Sequence, residues 1–151
     1  MKIRTVEDIC KISSEVHTKD STSCFVIMSF SNNPTLRDFY EKSIKPTVTK
    51  LGYKCERIDE KEFNGKIADE IIKNIKKSHF IIFDSTEARP NCYYELGVAH
   101  ALGKEVIHIS NSIENIHFDV RHFNFIIYSR IDELTKKLKN RIVHTIKTKS
   151  A

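Results

Sequence analysis

The sequence predicts an α/β domain, a mostly parallel sheet of five strands with helices on both faces. Three observations lead there. Short apolar runs recur along the 151 residues, stretches with apolar residues at helical spacing separate them, and the runs are apolar throughout, as in strands buried on both faces. Strands alternating with helices close into such a sheet through right-handed crossovers.

Taken in order, Ile9, Ile12 and Val16 fall at helical spacing between Thr5 and Val16, after a Thr5-x-x-Asp8 cap. The polar stretch His17 to Ser23 ends this helix, which is appended to the domain. Cys24 to Phe30 reads as the first strand and Ser31 to Pro34 as the loop after it. Leu36, Phe39, Tyr40, Ile44, Val48 and Leu51 trace a helix that Pro46 should kink and Gly52 should stop. Tyr53 to Ile58 is the second strand. After a polar loop with Gly65, the residues Ile67, Ala68, Ile71, Ile72 and Ile75 mark a second helix, and His79 to Asp84 a third strand. Cys92 to Leu102, closed by Gly103, is a third helix. Glu105 to Ile109 is the fourth strand and Asn124 to Tyr128 the fifth. Leu134, Leu138, Ile142 and Ile146 form the apolar stripe of a last, basic helix. The expected architecture is a three-layer flavodoxin-like domain over residues 23–151, with residues 1–22 as an N-terminal helical extension.

A chain of this length buries an adequate core without metals or staples. No apolar run approaches the roughly 18 to 20 residues that a membrane span needs, so no membrane partner is expected. The first residues carry both charges and lead into no apolar signal region, which makes a cytoplasmic location the expectation. The cysteines at 10, 24, 55 and 92 form no Cys-x-x-Cys pair and are expected as free thiols. The formal charge of +5 favours anionic partners. Much of it lies between Lys136 and Lys149, where no aromatic residues interleave with the lysines. That pattern reads as a solvated helix face and argues against a nucleic-acid surface.

Ligands of open parallel sheets bind outside the carboxyl ends of the strands. Those ends offer Ser29 and Phe30, Arg57 and Asp59, then Asp84, Ser85 and Thr86, and finally Ser110 and Asn111. No Gly-x-Gly-x-x-Gly follows a strand and no Gly-x-x-x-x-Gly-Lys-Ser/Thr occurs, which removes the dinucleotide fingerprint and the P-loop. The seven histidines contain no His-Glu-x-x-His, and only His117 and His122 approach metal spacing, so no metal site is expected.

Glu95 stands out by helical phase. Val98, Ala99 and Leu102 follow it at three, four and seven positions, which puts its carboxylate on the sheet-facing stripe. A carboxylate held partly out of water at a cleft has the environment of a catalytic group. The competing reading is that Glu95 complements the positive end of the helix dipole, with Asn91 as the N-cap; phase alone leaves the two readings open. Asp84, at the tip of the preceding strand, is expected beside Glu95, and on its own reads equally as a loop-ordering residue. Tyr93 and Tyr94 offer stacking surfaces or packing against the core stripe.

Taken together, Phe25-Val-Ile-Met-Ser-Phe30, Arg57-x-Asp59, Gly65-x-Ile67, Phe83-Asp-Ser-Thr86, the segment Arg89-Pro-Asn-Cys-Tyr-Tyr-Glu-Leu-Gly-Val-Ala-His-Ala-Leu-Gly-Lys104 and Phe118-Asp-Val-Arg121 resemble the bacterial TIR-like and nucleoside 2-deoxyribosyltransferase-like proteins. The resemblance spans about Cys24 to Tyr128, and the Glu-Leu-Gly segment is its specific part. Arg89 to Cys92 departs from the Asn-Pro-Asn-Val common in the group, which removes any contact made by the first Asn.

The resemblance implies a catalytic role for Glu95 as nucleophile and for Asp84 as the acidic residue holding sugar hydroxyls. Ser29, Phe30, Arg57, Asp59, Asn91, Tyr94 and Asp119 are the implied substrate contacts. It further implies an N-glycosidic-bond enzyme, with NAD as substrate rather than cofactor, cleaved or cyclised in antiphage defence. The alternatives are a nucleoside or nucleotide 2-deoxyribosyltransferase or N-glycosidase, and a non-catalytic module binding a nucleotide signal. The implied partners are a nucleotide or NAD-like small molecule and a second copy of the chain, which would enter through Phe118 to Arg121. Cleavage passes through an oxocarbenium-like state that a carboxylate can stabilise or capture. Nicotinamide leaves without a general acid, whereas a nucleoside base needs a proton from Asp84 or a tyrosine.

Overall fold

The computed structural model describes residues 22–29, 33–57 and 67–147. The expected appended helix and the positions Phe30, Asp59 and Gly65 lie outside them. Five strands form one sheet in the order β2-β1-β3-β4-β5. They are β1 (Ser23–Ile27), β2 (Lys54–Glu56), β3 (Phe80–Asp84), β4 (Val106–Ser110) and β5 (Ile126–Ile127). Every neighbouring pair is parallel, so the described sheet is wholly parallel. The strand order reverses between β1 and β3, the place where open α/β sheets leave a crevice.

Alternate residues of β1, β3 and β4 supply two cores. Cys24, Val26, Phe80, Ile82, Ile107 and Ile109 face one side. There they meet α1 (Pro34–Phe39), α2 (Lys45–Lys50), the π-helical turn Tyr40–Ile44 between those two, and α5 (Ile131–Ile142). Phe25, Ile27, Ile81 and Phe83 face the other side, against α3 (Ile67–Lys77) and α4 (Pro90–Ala101). Burial on both faces is why these strands read as continuous apolar runs.

The boundaries differ from expectation for local reasons. Pro46 has no N–H to continue the helical ladder, and the expected kink is a π turn in which the Lys45 N–H reaches back to the Tyr40 carbonyl. Gly52 and Gly103 stop their helices with φ of +94° and +69°, the left-handed geometry that glycine adopts without strain. Strand β5 has two residues where five were expected, and just past its end the Tyr128 N–H still reaches the Ser110 carbonyl of β4 at 3.0 Å. Leu134, Leu138, Ile142 and Ile146 are buried while Lys136, Lys137 and Lys139 are exposed, so the last helix is amphipathic as its spacing requires. Cys24, Cys55 and Cys92 are free thiols. No described helix is long and apolar enough to cross a membrane.

Candidate active site

The site begins at the end of β3, whose five residues are all buried. Asp84, the last of them, has no exposed surface. Its Oδ1 accepts the Thr86 N–H at 2.9 Å, a local Asx turn. Its Oδ2 accepts the Tyr128 hydroxyl at 2.5 Å. Thr86 closes the triangle, with its Oγ1 3.3 Å from the Tyr128 hydroxyl, and also accepts the Asn111 N–H at 3.0 Å. Burial pushes the Asp84 carboxyl up to about 6, against the Tyr128 and Thr86 bonds that pull it down.

Beyond Thr86 the chain turns sharply. The Ala88 N–H returns to the Ser85 carbonyl, and Glu87 takes a left-handed φ of +51°. The Glu87 carboxylate also accepts Asn33 Nδ2 at 3.3 Å, joining the loop after β3 to the start of α1. A non-glycine residue in this region carries strain, and strained backbone concentrates at functional loops.

Helix α4 then starts two residues earlier than expected. Pro90 occupies its first position, where the fixed φ suits a helix and the missing N–H costs nothing. The N-cap is therefore Arg89 rather than Asn91, and no side chain caps the helix there. Counting from Pro90, Glu95 is the sixth helical residue, and the first turn contains no acidic group. The dipole effect fades within that turn. Capping therefore does not account for Glu95.

Glu95 is half-buried on the stripe of Val98, Ala99 and Leu102. Burial raises its carboxyl to about 7, offset in part by a hydrogen bond from the Asn91 side chain. The two carboxylates are held from opposite faces of the sheet: Asp84 bonds Tyr128 in the core under α5, while Glu95 comes down from α4. Asp84 shares the phase of Phe80 and Ile82 on its strand. Both still act on the Cys92 thiol, which burial first and then their negative charges push up to about 11.

The remaining expected contacts divide into two groups. Ser29 is 4% exposed at the end of β1, and its Oγ has no hydrogen-bond partner among the described residues. Ser85, 1% exposed after β3, is in the same condition. These strands pair Ile27 with Phe83, so the two hydroxyls follow at equal distances on adjacent strand ends. Buried hydroxyls without partners are costly and point to a hydrogen-bonding group brought from outside. Arg57 also reaches this end, with its guanidinium 4.0 Å over the Tyr40 ring and a 3.6 Å contact to the Met28 sulfur.

Tyr94 and Asp119 lie further out, both exposed. Tyr93 packs edge-on against Phe83, and its hydroxyl donates to the Asn115 carbonyl at 3.2 Å and accepts the His117 N–H at 3.1 Å. It ties the segment carrying Asp119 to the helix of Glu95. Tyr128, the residue that sequence reasoning passed over, stands just beyond the fifth strand, a carboxyl end left off the list of candidate positions. Among the described residues no three His, Cys, Asp or Glu side chains converge to hold a metal ion.

No protein-family model matches the chain, and no curated protein does. Among solved structures, it is similar to a CMP N-glycosidase of Clostridium botulinum, with a TM-score of 0.62 and 19% identity over 78% of this chain and 98% of the other. It is also similar to a 2-deoxyribosyltransferase of Bacillus psychrosaccharolyticus, with a TM-score of 0.54 and 17% identity over 75% and 90% of the two chains. The chain thus shares the flavodoxin-like α/β fold of these two structures. The TIR-like half of the resemblance gains nothing from these neighbours.

Proposed function

We propose that this chain breaks the N-glycosidic bond of a nucleoside or nucleotide, with Glu95 as the group that meets the anomeric carbon. The observation that carries the proposal is the position of Glu95: a half-buried carboxyl on the inward stripe of α4, raised to about 7 by burial and lying beyond the reach of the helix dipole. The fold shared with an N-glycosidase and a deoxyribosyltransferase supports the same chemistry, and supports it ahead of NAD cleavage.

In the proposed reaction the ionised Glu95 stabilises or captures the anomeric carbon as the C–N bond breaks. The base departs with the bonding pair and takes a proton; water then completes hydrolysis, or a second base completes transfer. The unpartnered Ser29 and Ser85 hydroxyls are suited to sugar or phosphate oxygens at the same end of the sheet. Asp84 has no exposed surface, so it reaches a sugar hydroxyl only by exchanging the Tyr128 hydroxyl for one of the substrate's. Asn91 sets the Glu95 carboxyl through its hydrogen bond.

The test incubates the purified protein with CMP, with deoxynucleosides plus a free base, and with NAD, and separates the products by chromatography beside Glu95→Gln. Free cytosine from CMP or base exchange between deoxynucleosides is the expected result, absent in the variant. NAD stays in the assay because a pyrophosphate suits the +5 charge. Release of nicotinamide alone would replace the nucleoside reading with the NAD one. Turnover that survives in a folded Glu95→Gln protein would remove Glu95 from the chemistry.

A further inference from the structure

The last helix turns two of its cations onto the edge of the sheet. Lys137 Nζ donates to the Ile127 carbonyl at 3.0 Å, and Arg141 Nη1 donates to the Asn124 carbonyl at 2.9 Å. Two residues one turn apart on α5 thus cap carbonyls of β5 and its approach, on the side where no further strand pairs. By these contacts α5 runs back along β5, away from the carboxyl ends that carry Asp84. Between the two elements lies a groove of about 460 Å3, with residues 125–127 as one wall and Lys137, Asn140, Arg141 and His144 as the other.

Covering a strand edge uses only part of these side chains. Lys137 also meets Glu133 at 3.1 Å, which offsets its charge. Arg141 is half-buried and makes no ion pair among the described residues, and no acidic residue follows Glu133 in the sequence. One nitrogen of its guanidinium is fixed on Asn124. The Nε and Nη2 edge, the fork that grips two oxygens of one anion, has no hydrogen bond among the described residues. Arg121 supplies the contrast, with its Nε and Nη2 both on the Ile116 carbonyl at 3.3 and 2.9 Å. A half-buried cation with no counter-charge is costly, and an anion from outside relieves it.

We infer that this groove binds a small phosphate monoester, Arg141 holding two phosphate oxygens through Nε and Nη2 while Lys137 and Asn140 donate to the rest. The class follows from the donors: three side chains outnumber a carboxylate's two oxygens and suit the three terminal oxygens and the double charge of a phosphate. The wall of residues 125–127 takes the remainder of the molecule. A nucleic-acid strand fits less well, because the Phe125 ring is packed against Phe83 and His108 and offers no platform on which a base could stack. The groove stands apart from Glu95, so this inference and the N-glycosidic reading can fail separately.

Amide NMR titration of the whole 151-residue chain with phenyl phosphate tests it, because the shifts report where the probe binds. Saturable shifts are expected at residues 124–127 and 137–145. Arg141→Lys keeps the charge but loses the fork, and should weaken binding by about 10-fold or more. Asn140→Ala, at an exposed side chain that the fold does not use, should weaken it several-fold, with circular dichroism showing both variants folded. Lys136→Ala, exposed and outside the groove, should leave the constant unchanged. Equal losses in Lys136→Ala and Arg141→Lys would reduce the effect to general charge and overturn the inference. So would a titration without saturation, or shifts confined to the strand ends around Ser29 and Ser85. A single-stranded oligonucleotide bound more tightly than phenyl phosphate would give the groove to a nucleic-acid backbone instead.

Discussion

The Tyr128 hydroxyl donates a 2.5 Å hydrogen bond to the Asp84 carboxylate, joining a residue just past the edge strand β5 to the tip of the central strand β3. This bond and the Thr86 bonds favour the ionised form of Asp84, which burial opposes. Replacing Tyr128 by Phe should therefore raise the Asp84 carboxyl further. It should destabilise the protein by about 1 to 3 kcal/mol at pH 8, where a buried carboxylate loses its donor. At pH 5 the loss should be smaller, because a protonated Asp84 depends less on that donor. Urea unfolding at the two pH values checks the difference, and equal losses would mean that the bond does not stabilise the charge.

His100 and His108 face each other through their Nε2 atoms at 3.0 Å, so one ring donates and the other accepts. His108 is stacked on Phe123 with a centroid distance of 4.5 Å, and burial pushes it down to about 3. It should remain neutral from pH 8 to pH 5 in an imidazole NMR titration, as an ordinary histidine near 6.5 would not. The sign follows. A histidine depressed in the fold contributes stability that is present above 6.5 and drains away as the pH falls toward 3. A His108 that titrates near 6.5 would refute the pairing.

Tyr93 holds two backbone groups of the 115–117 segment through one hydroxyl. Tyr93→Phe keeps the ring against Phe83 and deletes only the latch. Because the segment is largely exposed, water replaces the lost bonds, and the global cost should stay below about 1 kcal/mol. Amide hydrogen exchange at His117 should nonetheless speed up several-fold, while the strand β3 amides are unchanged. Unaltered exchange at His117 would show that the segment is held elsewhere.

These pairs mark where the sequence stops being readable. The strands β1, β3 and β4 were legible because they are buried on both faces, and the helices because Ile71, Ile72 and Ile75, or Leu134 and Leu138, repeat on one face. The inward phase of Glu95 was legible for the same reason. Asp84 was legible as the acid at the tip of β3, but the face it takes, that of Phe80 and Ile82, follows from alternation along the strand, which a reading by strand ends alone ignores. Asn91 was misplaced as the cap because Pro90 was not counted as the first helical residue. Tyr128 left no local trace: its partner lies 44 residues earlier, and no spacing rule connects a residue beyond an edge strand to a carboxylate at the sheet centre.

The Glu95 carboxyl, near 7 in the fold against 4.5 when free, makes the last prediction double. An acid raised by folding contributes stability that is fully present below about 4.5 and lost as the pH rises through 7. Glu95→Gln, which imitates the protonated form, should thus leave stability almost unchanged at pH 4 and increase it at pH 8, by about 2 kcal/mol once partial exposure is discounted. Asp84, raised from 3.8 to about 6, acts in the same direction over a lower window, so the native protein itself should weaken between pH 4 and pH 7 unless His108 masks the trend. Catalysis should run the other way. A carboxylate that attacks or stabilises the anomeric carbon must be ionised, so the acid limb of the rate profile should have its midpoint near 7 and vanish with the activity in Glu95→Gln. Thermal unfolding of both proteins at pH 4 and 8, beside the rate profile of the native one, checks the two halves together. A variant less stable than the native protein at pH 8 would show that Glu95 is held as a structural ion, and would remove the physical ground for placing the chemistry there.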